Sequence, residues 1–252
     1  MAGRKSGEHA EKMEHFRGEA VRKVFGEVFD ERTVKAVHVL AQRGYIDALE
    51  HLVNAGKEAQ VFRAADPAGN PRAVKIYKIE TSKFKHMRAY IEGDLRFKKV
   101  KKSRRELIYQ WTRKEFKNLE KFTEAGIRVP MPLAFHENVL VMEFIGGKTA
   151  AKTLKESAID AVLLRKMIVE ALARMVFCAE LVHADLSEYN ILNFNGEPVI
   201  IDCAQAVLTT HPSAERFFQR DLENIANYLS KTGEKVGTEE LKAEVKALKG
   251  KI

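Results

Sequence analysis

Apolar positions at the start of the chain recur every three or four residues. Within residues 8–29, Met13, Phe16, Ala20, Val21, Val24 and Val28 share one face, which predicts an amphipathic helix. A second helix is expected to begin near Arg32 or Thr33, to carry Val34, Val37, Leu40 and Ala41 on its apolar face, and to stop at Gly44. These helices make a front extension over residues 1–46. Their spacing is a weak match to a helix-turn-helix, and packing against the following domain is the expected use.

From Asp47 the period shortens. Ala48–Val53 and Ala59–Ala65 read as strands around the loop Asn54–Glu58, and Ala73–Tyr77 as a third strand after the turn segment Asp66–Pro71. A helix is expected over Arg105–Ala125, ending near Gly126. Two short strands follow Pro130 and Pro132, around Leu133–His136 and Val139–Phe144. Gly146 and Gly147 mark a hinge-like break. Residues 159–182 are apolar almost all round, as in a buried central helix, and the tail from Ala214 is helical again. The order predicts an α+β protein: a sheet-and-helix lobe over 47–145, then a mostly helical lobe over 146–252.

Composition narrows the class. In 252 residues, 45% are hydrophobic, with 15 Gly and 6 Pro, which excludes a disordered or fibrous chain. No apolar run reaches the roughly 18 residues of a membrane span. The charged start, Met1 to Lys5, is unlike a signal peptide, and Cys178 and Cys203 cannot build a disulfide framework. A soluble, cytoplasmic protein with reduced thiols, not bound to a membrane, is expected.

Charge is concentrated. The chain has 43 Lys+Arg against 35 Asp+Glu, yet Thr81–Arg105 alone holds ten basic and two acidic residues, so the remainder balances at 33 each. Such a segment is either a solvated loop or a contact for RNA or an acidic partner.

Candidate chemistry centres on His183-Ala184-Asp185-Leu186-Ser187-Glu188-Tyr189-Asn190, followed by the strand Val199–Ile201 and Asp202. An Asp and an Asn five apart on one loop can serve a phosphate site: Asp185 orients a hydroxyl, Asn190 ligates Mg²⁺, and Asp202 supplies the anionic metal ligand. His183 reads as a structural support of the loop, and Cys203 as a packing residue. On the third strand Lys75 alternates with Val74 and Ile76, so it faces the other side. Glu115 lies on the apolar stripe Trp111–Glu115–Leu119, where a carboxylate is costly unless paired, so a Lys75–Glu115 ion pair is inferred. Gly56, Lys57 and Glu58 form a candidate phosphate loop with a single glycine. The segment Val141-Met142-Glu143-Phe144-Ile145 precedes the hinge, where backbone groups can hydrogen-bond an adenine.

Together, Asn54–Ala59, Val74–Tyr77, His183–Asn190 and Ile201–Val207 resemble the RIO family of atypical serine/threonine protein kinases. Arg43–Asp47 and Glu92–Phe97 are similar to its type-one branch, which carries a basic insert after the third strand, and the compact length resembles archaeal members. The resemblance implies a trimmed two-lobed kinase fold without the usual activation loop. It implies ATP and Mg²⁺ (or Mn²⁺) as cofactors, autophosphorylation on serine, ATPase turnover and a role in small ribosomal subunit maturation, with a subunit precursor or rRNA as partner. By position, Lys75 would hold phosphates with Glu115 orienting it, Asp185 would be the catalytic acceptor, and Asn190 and Asp202 the metal ligands. The family also suggests transient phosphorylation of Asp202. Asn54-Ala55 stands where relatives carry Ser-Thr, and Gly146–Lys152 lacks a common proline pattern. A nucleotide-switched RNA-binding ATPase and a small-molecule phosphotransferase of the aminoglycoside-kinase type remain alternatives, the latter opposed by the basic segment. Ser103, with Ser82 and Ser6 as rivals, is the candidate site of self-modification.

Overall fold

Asp30 opens the first described helix, α1 (Glu31–Gln42), because its side chain accepts from the backbone N–H of Thr33 at 2.9 Å, a donor the helix cannot satisfy itself. The helix ends at Gly44, whose φ of +80° costs a glycine nothing, and its N–H returns to the Ala41 carbonyl. This computed structural model describes residues 30–80, 84–97 and 103–252. The helix expected over 8–29, the five lysines Lys83, Lys98, Lys99, Lys101 and Lys102, and Ser6 and Ser82 lie outside the described residues. The chain divides into two units, one drawn from residues 1–85, 100–116 and 132–144, the other from 86–99, 117–131 and 145–252.

The first unit is built on strands β1 (Ala48–Ala55), β2 (Ala59–Ala65) and β3 (Pro71–Tyr77). Next along the chain come α2 (Phe84–Ile91) and a 3-10 turn at Leu95–Phe97, which fall almost wholly in the second unit, and α3 (Arg104–Glu124), which belongs to the first unit up to Phe116 and to the second from Lys117. Strands β4 (Pro132–His136) and β5 (Val139–Glu143) complete an antiparallel sheet in the order β1-β2-β3-β5-β4. Val34, Val37 and Leu40 of α1 pack with Leu49, Phe62, Val74, Ile76, Val139 and Val141, all buried. Each such side chain contributes about 1.5–3 kcal/mol relative to leaving it in water. Buried Asn138 closes this core, donating to Thr33 Oγ1 at 3.0 Å and to the Tyr77 carbonyl at 2.8 Å.

The second unit contains β6 (Lys152–Thr153), α4 (Ala161–Phe177), β7 (Leu181–Val182), the hairpin β8 (Ile191–Phe194) and β9 (Glu197–Ile200), β10 (Val207–Leu208), α5 (Ala214–Lys231) and α6 (Thr238–Ala247). β8 lies between β6 and β9, while β7 pairs with β10. The stretch expected as one buried helix over 159–182 is different. Asp160 caps α4 through the Leu163 N–H, the helix ends at Phe177, and a positive φ at Glu180 turns the chain into β7. Nor is α4 buried all round, since Val162 and Leu163 are exposed. Its apolar run fills the first turn, where one flank faces solvent. Arg165 fastens α4 to the end of the chain through Glu234 at 2.6 Å and through Glu240 and Glu244 on α6. The fold is α+β, and no described helix is long and apolar enough to cross a membrane.

Candidate active site

In the first unit, the alternation of β3 separates two jobs. Val74 and Ile76 enter the core under α1, while Lys75 and Tyr77 take the opposite face, with the ammonium 5.1 Å from the tyrosine ring centroid. Lys75 Nζ donates to Glu115 Oε1 at 2.7 Å, and the Tyr77 hydroxyl donates to Glu115 Oε2. Glu115 is 1% exposed and Lys75 7%, so both charges depend on this pairing. Removing either partner from a buried pair costs about 3–5 kcal/mol, which makes the arrangement stiff. The lysine is thereby fixed in direction.

In the second unit, the loop from His183 to Asn190 is braced at every turn. The Asp185 carboxylate accepts from Gln205 Nε2 at 2.8 Å and from Asn190 Nδ2 at 3.2 Å; the same amide also donates to the Asp185 carbonyl at 2.8 Å. The Ile201 N–H donates to the Asn190 carbonyl at 2.9 Å, which brings Asn190 to within one residue of Asp202 across the β8–β9 hairpin. Asp202 sits in the left-handed region, φ 59°, and Ala184 does as well, φ 67°. Such conformations cost on the order of 1–3 kcal/mol and persist where neighbours enforce them. Here the neighbours are specific. Asp221 of α5 accepts from the N–H groups of Ala184 and Leu186 at 2.7 and 2.9 Å, and Arg220 donates to the Ala184 carbonyl. Asn118 donates to the carbonyls of Cys203 and Ala206, just beyond Asp202. His183 Nε2 lies 3.2 Å from the Ile201 carbonyl, and its ring stacks on Phe122. Burial pushes the Asp221 carboxyl up to about 7, against the pull of its two backbone donors.

The other sequence candidates are less tightly gathered. The Gly56 carbonyl accepts from Lys78 Nζ and the Glu58 carbonyl from the Lys78 N–H, both at 2.9 Å, so the β1–β2 loop is tied to the end of β3. Lys57 is exposed at its tip. Met142 and Glu143 end β5, paired with Ala73 and Arg72 of β3. Ile145 is buried, and its carbonyl already accepts from the Ala151 N–H at 2.9 Å. In the basic segment, Arg96 binds Asp94 at 2.6 Å and Arg105 binds Asp30 at 2.6 Å, so part of its charge is neutralised within the fold.

Sequence reasoning passed over Tyr77, Asn118, Gln205 and Asp221. Asp221 had a visible signal: it stands on the stripe Phe217, Phe218, Leu222 and Ile225, the same anomaly that singled out Glu115. Gln205 and Asn118 carried none, because their partners lie 20 and 85 or more positions away.

The second-unit donors suit a hard cation. Asn190 spends its amide N–H₂ on Asp185, which turns Oδ1 away from that contact, and Asp202 adds carboxylate oxygens. The described residues hold no cluster of three or more His, Cys, Asp or Glu side chains, so a bound ion would complete its shell with water or phosphate oxygens, as Mg²⁺ does.

A buried Lys–Glu pair beside a five-stranded antiparallel sheet, and a braced Asp-to-Asn loop in a helical unit, define a protein-kinase-like fold. The same fold is found in the Rio2 kinase from Chaetomium thermophilum, with a TM-score of 0.65 and 24% identity over 84% of this chain and 66% of that one. The Rio2 kinase–ADP/Mg²⁺–phosphoaspartate complex from the same organism is similar, with a TM-score of 0.61, 24% identity, and coverage of 86% and 71%. Residues 60–242 match the RIO domain, and the chain belongs to the RIO family. It is 44% identical to the RIO-type serine/threonine-protein kinase Rio1 of Haloferax volcanii, over 84% of this chain and 73% of that one. It is 34% identical to the human serine/threonine-protein kinase RIO1, over 86% of this chain but only 39% of the human protein.

Proposed function

We propose that this protein is an ATP- and Mg²⁺-dependent serine/threonine protein kinase that also modifies itself and hydrolyses ATP. The observation that carries this reading is the Asp185 carboxylate, aimed by Gln205 and Asn190 beside the Asp202 turn. Asp185 takes the proton of a serine hydroxyl as that oxygen bonds to the γ-phosphorus and the bond to the ADP leaving group breaks. Lys75, held by Glu115 and Tyr77, neutralises phosphate oxygens. Asn190 and Asp202 hold the cation, which when bound offsets the charge developing on those oxygens. Asp202 also accepts the γ-phosphoryl group transiently, a carboxylate oxygen bonding to phosphorus as the bond to ADP breaks and water later releasing free phosphate, a reading supported by the phosphoaspartate state of the Rio2 relative.

A role on the small ribosomal subunit rests on the family resemblance and on the charge of residues 81–105. The test is incubation with γ-labelled ATP and Mg²⁺, alone and with purified small subunits, comparing wild type with Asp185→Ala. Label should enter the protein or the subunit with wild type and fall by about 100-fold or more in the variant. Free phosphate without protein labelling would favour the nucleotide-switched, RNA-binding ATPase. Turnover independent of Asp185 would overturn the mechanism.

A further inference from the structure

Within the second unit, Tyr90 of α2 and the first turns of α5 line an open cleft of about 590 Å³, bordered by Tyr90, Arg216, Phe217, Gln219, Arg220 and Glu223. That is within the usual size of ligand sites, about 300–1,000 Å³. The Tyr90 and Phe217 rings stack with centroids 5.0 Å apart, and the guanidinium groups of Arg216 and Arg220 each sit 5.3 Å from the Phe217 centroid. Both arginines are exposed, while Phe217 beneath them is 5% exposed. Two planar cations held against one ring form a fork suited to a carboxylate or phosphate. Glu223, 3.4 Å from Gln219 Nε2, places a negative charge in the lining and confines the anion to the arginine end.

The cleft is joined to the catalytic loop. Arg220 lines it and also donates to the carbonyl of Ala184, the residue before Asp185. A group bound by the arginines therefore sits on the structure that aims Asp185.

We propose that this cleft docks an acidic or phosphorylated side chain of the protein substrate, close in sequence to the serine presented to Asp185. The inference rests on the kinase reading above and adds to it a substrate class. RNA is the weaker occupant. Base binding needs an open aromatic face, and the Phe217 ring is buried beneath Tyr90 and the two arginines.

The experiment uses serine peptides identical except for Ala, Glu or phosphoserine at positions flanking the target, assayed with wild type, Arg216→Lys and Arg216→Gln. The readout is the ratio of kcat/KM between anionic and Ala peptides within each enzyme, so a change in overall rate cancels. Wild type should prefer the anionic peptides by about tenfold, the size of one charge-assisted hydrogen bond. Arg216→Lys should keep part of that preference and Arg216→Gln should lose it. The Glu and phosphoserine arms separate a carboxylate from a phosphate ligand. Equal rates on all peptides with wild type would overturn the docking role alone. So would loss of single-stranded RNA binding in Arg216→Gln with the peptide preference intact. Failure of wild type to label any peptide or itself would instead remove the kinase reading, and the docking role with it.

Discussion

Asp221 shows how one buried carboxyl can set the shape of the loop from His183 to Asn190. Its two oxygens receive the N–H groups on either side of Asp185, which holds Ala184 in a conformation that side chains rarely adopt. The arrangement has a pH signature. The folded carboxyl is pushed up to about 7 from an ordinary 3.8, so between those values the native state binds more protons than the unfolded one. Stability from this group therefore falls as pH rises through that window and is constant above it. At about 1.4 kcal/mol per pH unit the loss is up to about 4 kcal/mol. Melting temperatures of wild type and Asp221→Asn, measured from pH 4 to 8, should show the wild-type value dropping relative to the variant up to about pH 7. A difference that does not vary with pH would refute the assignment. Asp221→Asn should also lower labelling, because an amide offers one acceptor where two are needed. Glu115 was legible from sequence because a lone carboxylate on an apolar stripe demands a partner, and Lys75 was the cation in reach. Asp221 had the same signature, but its partners are backbone groups, which no residue name announces.

At the scale of elements, the segment around α2 carries more order than its charge suggests. Lys85, Arg88 and Arg96 belong to a run that reads as a solvated loop or an RNA contact, yet Phe84–Ile91 is helical and Tyr90 packs on Phe217. Gly93 is part of the same docking: a Cβ there would overlap the His211 imidazole, which is buried and pinned by the Ser213 N–H at 3.1 Å. Gly93→Ala should destabilise the protein by about 1–3 kcal/mol through overpacking, and peptide preference should weaken as Tyr90 moves. Chemical denaturation with and without an anionic peptide measures both effects. An unchanged midpoint would show that the segment yields at no cost. The five strands of the first unit are readable to within two residues, since alternation and turn residues act over two to four positions, and Ala59–Ala65 coincides with β2; β6, β7, β8 and β10, of two to four residues, are too short to show a period. The stretch 159–182 was misread because an apolar run has the same composition in a helix and in a short strand, and the turn at Glu180 is not a glycine.

At the scale of the whole molecule, ligand linkage tests the assignment of the cation. A ligand at a hundred times its Kd stabilises by about 2.7 kcal/mol, which for a chain of this size raises Tm by about 5 °C or more. Mg²⁺ with ATP should give such a shift, ATP with a chelator less, and Asp202→Asn should erase the difference between them; calorimetry that finds the difference intact would move the metal elsewhere. The sequence by itself determined the five strands of the first unit, the α+β class, the Lys75–Glu115 pair and the loop from Asp185 to Asn190. All of these follow from periodicity, turn chemistry, or the cost of burying a charge, and those forces are written within a few residues of where they act. Only the tertiary structure decided that Gln205 aims Asp185, that Asn118 secures the turn after Asp202, and that Tyr90 and a pair of arginines meet on Phe217. Those contacts join residues 20 to 127 positions apart. Their partners are chosen by how helices and hairpins pack, which local patterning leaves open.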